Sequence, residues 1–173
     1  ITFSVDEWEE SFARVTTPNR RIQLAIPELF DELDGLATEP ERVNTDFPLV
    51  LSAGERRSFT ANTIIRNPEW RKKDRVGALR MHSDDAMRAG VADGGRVRLS
   101  TRRGSAEVSV EISDRMQPRH ISLPNGLGLD FQDASGRSLA TGVSPNELTR
   151  SEDRDWLAGT PWHKHTPARV EPL

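Results

Sequence analysis

Arg96-Val97-Arg98-Leu99-Ser100-Thr101-Arg102-Arg103-Gly104-Ser105-Ala106-Glu107-Val108-Ser109-Val110-Glu111-Ile112 alternates apolar with polar side chains on both sides of a central Arg-Gly pair. Val97 and Leu99 alternate with Arg96, Arg98 and Ser100, while Ala106, Val108, Val110 and Ile112 alternate with Glu107, Ser109 and Glu111. A period of two puts the apolar set on one face of an extended chain and the polar set on the other, and Arg103-Gly104 supplies the turn. The stretch is therefore predicted to be a half-buried β-hairpin. Working outward, Ala78 to Met81 reads as a short strand, followed by Ser83 as N-cap and Asp84 and Asp85 in the first turn of a helix ending at Gly90. Upstream, Pro48 to Ser52 reads as a buried strand ending at Gly54. Downstream come a bend at Met116 to Pro118, a strand carrying Ile121 and Leu123, a Gly-rich loop from Asn125 to Gly128, and a polar, featureless stretch from Asp130 to Ser144. Ser144-Pro145 opens a short helical turn, and Ala168 to Val170 gives a last strand. Many short strands with brief helices point to a small closed barrel, because closure removes the edges that an open sheet exposes.

The chain has 173 residues, one domain with room for an appended arm. Residues 1–46 are that arm: eleven acidic against four basic side chains give a net charge of −7. Ser4 and Glu7 fit a capping box, Trp8, Phe12 and Val15 make Val5 to Val15 an amphipathic helix, and Pro27 starts a second with Leu29, Phe30, Leu33 and Leu36 as its stripe. Residues 47–173 form the main domain. The absence of Cys excludes disulfides, thiolate metal ligands, iron–sulfur clusters and a Cys nucleophile within this sequence. A net charge of −3 gives no global attraction to nucleic acid or anionic lipid, and no run of about 18 apolar residues is present to span a membrane. The first residue is Ile1, so the chain is expected to be part of a longer product.

Against that acidic background, the segment from Gly54 to Arg75 carries Arg56, Arg57, Arg66, Arg71, Lys72, Lys73 and Arg75 against Glu55, Glu69 and Asp74, a net +4. Its leading part, Ser52, Ala53, Gly54, Glu55, Arg56, Arg57, Ser58, Phe59, Thr60, Ala61, Asn62 and Thr63, offers glycine backbone, guanidinium, hydroxyl and amide groups suited to a polyanion with a heterocyclic body. A solvated basic loop is the commoner outcome for such a run. It matches neither the Walker pattern nor the dinucleotide glycine fingerprint. His163 and His165 flank Lys164, a spacing and a cation that oppose a metal site. Packing roles suit Trp70, Trp156 and Trp162, an acidic surface turn suits residues 151–155, and no nucleophile elbow is present.

Taken in order, these pieces resemble the C-terminal molybdopterin-guanine-dinucleotide-binding domain of the molybdopterin oxidoreductases, the family of dimethyl sulfoxide reductase, periplasmic nitrate reductase and formate dehydrogenase. The likeness rests on Phe47 to Gly54 with Asn62-Thr63, on Ser83 to Ala86, on Gly90 to Leu99, on Arg102 to Ser105, and on Asn146 to Thr149, Thr160-Pro161 and His163-Lys164. Residues 1–46 look like the lead-in of the formate dehydrogenase-like subgroup. The resemblance implies a mainly β fold, a double-psi β-barrel preceded by the small helical arm. It also implies molybdopterin guanine dinucleotide as cofactor, contacted by Ser52 through Thr63, by Asn146 and by Lys164. Many relatives carry Thr-Gly-Arg where this chain has Ala53-Gly54-Glu55, so either Arg56 or Arg57 takes the usual guanidinium place. Molybdenum or tungsten would be held by the remaining domains of a parent oxidoreductase, which are the implied partners, with no nucleic acid and no membrane span. The chain alone is not expected to be active, and a cytoplasmic location is expected. The competing reading is a stand-alone barrel module that binds a protein or nucleic acid through its basic loop.

Overall fold

The computed structural model describes residues 7–55, 65–71, 74–155 and 157–173, with Glu55 described through its backbone alone. The chain divides into two compact units, Ile1–Pro40 and Glu41–Leu173. In the first, helix α1 (Trp8–Ala13) stacks Trp8 edge-on against Phe12 one turn later, with centroids 4.8 Å apart. This helix is shorter than the expected Val5 to Val15. Glu7 occupies the N-cap with no side-chain bond of its own, so it is not the third residue of a capping box, and Ser4 lies outside the described residues. Helix α2 (Pro27–Gly35) starts at Pro27, whose fixed φ and missing N–H suit a first turn. Its stripe of Leu29, Phe30, Leu33 and Leu36 is exposed.

The second unit is a closed barrel. Its strands are β1 (Leu49–Glu55), β2 (Leu79–Met81), β3 (Arg96–Thr101), β4 (Ser105–Ile112) and β5 (His120–Pro124), with the last strand at Thr166–Pro172. Between β5 and that last strand lies a separate hairpin, β6 (Asp130–Gln132) and β7 (Ser138–Ala140), so the last barrel strand is β8. Around the barrel the order is β1-β5-β2-β4-β3-β8. The pairs β1·β5 and β2·β4 run parallel, and the other four junctions run antiparallel. The hairpin read from Arg96 to Ile112 is β3–β4, with Val97 opposite Val108 and Leu99 opposite Ala106. Its inward set joins Leu51, Ala53, Leu79, Met81, Val110, Ile121, Leu123, Leu148 and Ala168 in one core. Full burial of each large aliphatic member contributes about 1.5–3 kcal/mol.

Three local expectations are corrected. Helix α3 (Ser83–Ala89) is capped one residue earlier than Ser83: the His82 ring Nδ1 accepts the Asp84 N–H at 3.1 Å. Strand β1 does not end at Gly54 but passes through it, with a bulge that shifts its register against β5 between Ala53 and Glu55 and a φ of 92° that a glycine tolerates. The stretch from Asp130 to Ser144 is not featureless. Its β6–β7 hairpin turns on Asp133, whose carboxylate accepts the Ser135 N–H at 2.9 Å, the Ser135 hydroxyl at 2.6 Å and the Arg137 N–H at 3.0 Å. The reason it escapes a pattern search is its length: two three-residue strands show too little alternation.

Gly128 and Gly136 both have left-handed backbones, with φ of 76° and 79°. A Cβ at Gly128 would collide with the Ser144 backbone, whereas one at Gly136 meets open space. Gly136→Ala should cost about 1 kcal/mol and Gly128→Ala about 3 kcal/mol or more. Urea unfolding of the two variants checks this, and equal losses would contradict the packing described at Gly128.

Candidate functional site

The strand pairings decide which loops share an end of the barrel. Leu51 lies opposite Thr166, Thr101 opposite Ala168, Glu55 opposite Pro124, and Leu79 beside Val110. The C-terminal ends of β1, β5 and β3 and the N-terminal ends of β2, β4 and β8 therefore form one mouth. Opening onto it are the exit of β1 at Gly54 and Glu55, the loop Asn125 to Gly128, the turn between Thr101 and Ser105, and His163 to His165 just before β8. A short helical turn at Pro145–Glu147 also sits there, because the Thr101 hydroxyl donates to the Leu148 carbonyl at 2.8 Å and Leu148 is fully buried beneath the mouth.

Of the residues singled out in the sequence, this topology gathers Ser52, Ala53, Gly54, Asn146 and Lys164 at the same end. Ala53 is buried, and its N–H donates to the His163 carbonyl at 2.7 Å, which ties the outgoing strand directly to the Lys164 segment. Ser52 and Gly54 are partly exposed, while Asn146 and Lys164 are exposed. Glu55 closes β1 by pairing with Pro124. Arg56, Arg57, Ser58, Phe59, Thr60, Ala61, Asn62 and Thr63 lie outside the described residues. The Lys164 segment is shaped by Asp155, which accepts the N–H groups of Ala158 at 2.6 Å and Thr160 at 2.7 Å, and by Arg42, whose guanidinium stacks 3.0 Å above the Trp162 ring.

Arg71 changes the meaning of the basic run. It is only 2% exposed, and its guanidinium donates to the carbonyls of Ile65 at 2.8 Å, Arg66 at 3.1 Å and Arg75 at 2.8 Å and to the Thr141 hydroxyl at 2.6 Å. Burial lowers its pKa, and nearby Asp74 partly opposes that fall. Asp74 in turn accepts the N–H groups of Gly77 at 2.7 Å and Ala78 at 3.2 Å. This arginine knots together the loop entering β2 and the end of β7 instead of presenting charge to a partner. A surface patch built on Arg71 through Arg75, as the stand-alone module would use, lacks its first member. The sequence signal that marks Arg71 is slight: its neighbours offer carbonyls but no adjacent carboxylate except Asp74.

Residues 49–167 match the family described as "Molydopterin dinucleotide binding domain". The chain belongs to that family. Its cofactor is a molybdopterin dinucleotide. Among curated relatives, the probable oxidoreductase YoaE of Bacillus subtilis is 24% identical over 135 residues, covering 77% of this chain and 19% of that protein. The periplasmic nitrate reductase of Desulfovibrio desulfuricans is 29% identical over 113 residues, covering 60% of this chain and 15% of the reductase. The chain thus spans about a fifth or less of the length of these relatives. Among solved structures, acetylene hydratase from Pelobacter acetylenicus superposes with a TM-score of 0.63 at 17% identity, over 91% of this chain and 24% of that one, which shows the shared barrel fold.

The chemistry at the mouth fits a molybdopterin dinucleotide. An exposed ammonium at Lys164, an exposed amide at Asn146 and the half-exposed Ser52 hydroxyl are groups that pair with phosphate and with a heterocycle edge. Among the described residues no cluster of three His, Asp or Glu side chains could hold a metal ion, and no helix is long and apolar enough to cross a membrane.

Two outcomes follow from the local bonding. Arg71→Met would leave the carbonyls of Ile65, Arg66 and Arg75 without their donor, so a loss of about 1–3 kcal/mol is expected in urea unfolding, with Arg71→Lys intermediate. Hydrogen bonds from Ala158 first, and then Thr160, favour the ionised form of Asp155 and lower its pKa. The stabilisation of the 155–160 turn is therefore present above the ordinary carboxylate pKa of about 3.9 and is lost as pH falls through the lower, folded value. A carboxyl 13C titration by NMR should place Asp155 below that ordinary value.

Proposed function

We propose that the domain binds and positions molybdopterin guanine dinucleotide as the C-terminal part of a molybdenum- or tungsten-dependent oxidoreductase of the formate dehydrogenase-like kind. The observation that carries this reading is the gathering of the β1 exit, the Asn146 turn and the Lys164 segment at one mouth, in a chain that belongs to the dinucleotide-binding family. Lys164 and an arginine of the loop, Arg56 or Arg57, neutralise phosphate. Asn146 hydrogen-bonds a heterocycle edge, and Ser52 to Thr63 offer the cofactor backbone N–H groups and hydroxyls. When bound, the group supplies the redox chemistry at its metal, and the protein supplies grip and orientation. The remaining domains of the parent enzyme hold the metal and the substrate pocket, which is supported by the short share of each relative that the chain spans. The formate dehydrogenase-like assignment is supported by the resemblance of residues 1–46.

Titration of the purified chain with the released guanine dinucleotide, read by calorimetry, tests the reading. Lys164→Ala and Asn146→Ala should each weaken binding by about 1–3 kcal/mol, and the Lys164 effect should shrink in high salt. No heat of binding by the unsubstituted chain, or unchanged affinity in both variants, would refute it.

A further inference from the structure

The end of the barrel remote from the mouth holds a cavity of about 490 Å³. The strand pairings place it there: Leu49 opens β1, Arg119 immediately precedes β5, Val170 lies in the outgoing half of β8, and α3 leaves β2 at that same end. Its walls are of two kinds. Pro48, Leu49, Ala89 and Val170 give an apolar side, and Leu49 and Val170 also pack against the barrel core. On the polar side Arg88, Arg119 and Arg169 stand against a single carboxylate, Asp85, in a chain whose net charge is −3.

The three cations are not equivalent. Asp85 is only 4% exposed and both its carboxylate oxygens are engaged, one by the Arg88 guanidinium and the other by the backbone N–H of Arg119 at 2.6 Å. Arg169 pairs with Glu171 at 3.3 Å. The Arg119 guanidinium bonds no described residue. Its backbone, by contrast, is held at both ends, since the carbonyl of Arg119 accepts the Val50 N–H at 2.9 Å while its own N–H is bound to Asp85. The residue is fixed with a φ of 66°, a left-handed conformation that glycine or asparagine adopts at lower cost than arginine does. A cation kept on a doubly anchored, strained residue and left without a partner beside a half-apolar cavity is placed for a ligand rather than for the fold.

We infer that this cavity is a second binding site, one for a small organic acid whose carboxylate is received by the Arg119 guanidinium and whose apolar body lies along Leu49, Ala89 and Val170. The planar fork of arginine presents two parallel N–H donors that match a carboxylate. The volume falls within the range of small-ligand pockets, about 300–1,000 Å³. The buried negative charge of Asp85 disfavours a dianion such as phosphate, and the apolar wall gives a bare anion nothing to bury. Because the site lies at the opposite end of the barrel from the mouth, the inference stands or falls independently of the cofactor reading.

The test is a titration of the purified chain with hexanoate, followed through its amide signals by NMR. The comparison probes are 1-hexanol as the neutral analogue, inorganic phosphate as the bare anion, and the amide of acetylated Leu-Leu-Glu as a carboxylate borne on a peptide. Hexanoate should shift the amides of Leu49, Arg119 and Val170 saturably, and hexanol and phosphate should bind at least about tenfold more weakly. Arg119→Gly and Arg119→Gln should each weaken hexanoate binding about tenfold, the loss of one charge-assisted pair. Arg119→Gly should melt no lower than the unsubstituted chain, because glycine relieves the left-handed backbone, whereas a purely structural arginine would lower the melting temperature on removal. No saturable shift with hexanoate, phosphate binding as tightly as hexanoate, or hexanoate affinities of both variants within twofold of the unsubstituted chain would overturn the inference. Saturation by the peptide where hexanoate gives none would overturn it too, by assigning the cavity to a protein partner.

Discussion

Everything at the mouth depends on β1 being paired along both edges. It runs parallel to β5 on one side and antiparallel to β8 on the other, so its exit at Ser52 to Glu55 is fixed against two loops that come from distant parts of the sequence. The Ala53 N–H to His163 carbonyl bond extends the second edge beyond the regular ladder. Parallel pairing requires a crossover, and β1 is joined to its parallel neighbour β5 by way of β2, β3 and β4 rather than by a single turn. With the barrel closed, no stave is left with an open edge.

Legibility in the sequence followed signal length. The β3–β4 hairpin was plain because five positions, Arg96 to Ser100, alternate before Arg103-Gly104 and seven, Ala106 to Ile112, after it, and Val97, Leu99, Val108 and Val110 are buried as that alternation promises. Strand β2 and helix α3 were found from apolar runs and acidic first turns, although the cap fell on His82, whose ring nitrogen accepts the Asp84 N–H. Closure itself was an inference from strand count. The partners of each strand were not readable, since parallel neighbours leave no local turn to mark them.

At the site, the family pattern singled out Ser52 to Thr63, Asn146 and Lys164; of these the topology brings Ser52 to Gly54, Asn146 and Lys164 to one end of the barrel, and Arg56 to Thr63 lie outside the described residues. Residue type alone misjudged Arg71. A guanidinium in a basic run reads as surface, yet here four hydrogen bonds draw it inside. An arginine can do this where a lysine cannot, because its planar fork reaches several carbonyls at once. Such a buried cation is weak evidence for stability in itself, and its value lies in fixing one arrangement of loops rather than several.

The ladder between β1 and β8 joins Leu49 to Ala168, residues at nearly opposite ends of the domain's sequence. Contacts of such long sequence separation form late and slowly, because the entropy of bringing the ends together must be met before they hold. As the polypeptide emerges from the ribosome, β1 to β5 can collapse against one another, but the ring stays open until Thr166 to Pro172 has been synthesised. The domain therefore reaches its final shape only after nearly all of it has been translated.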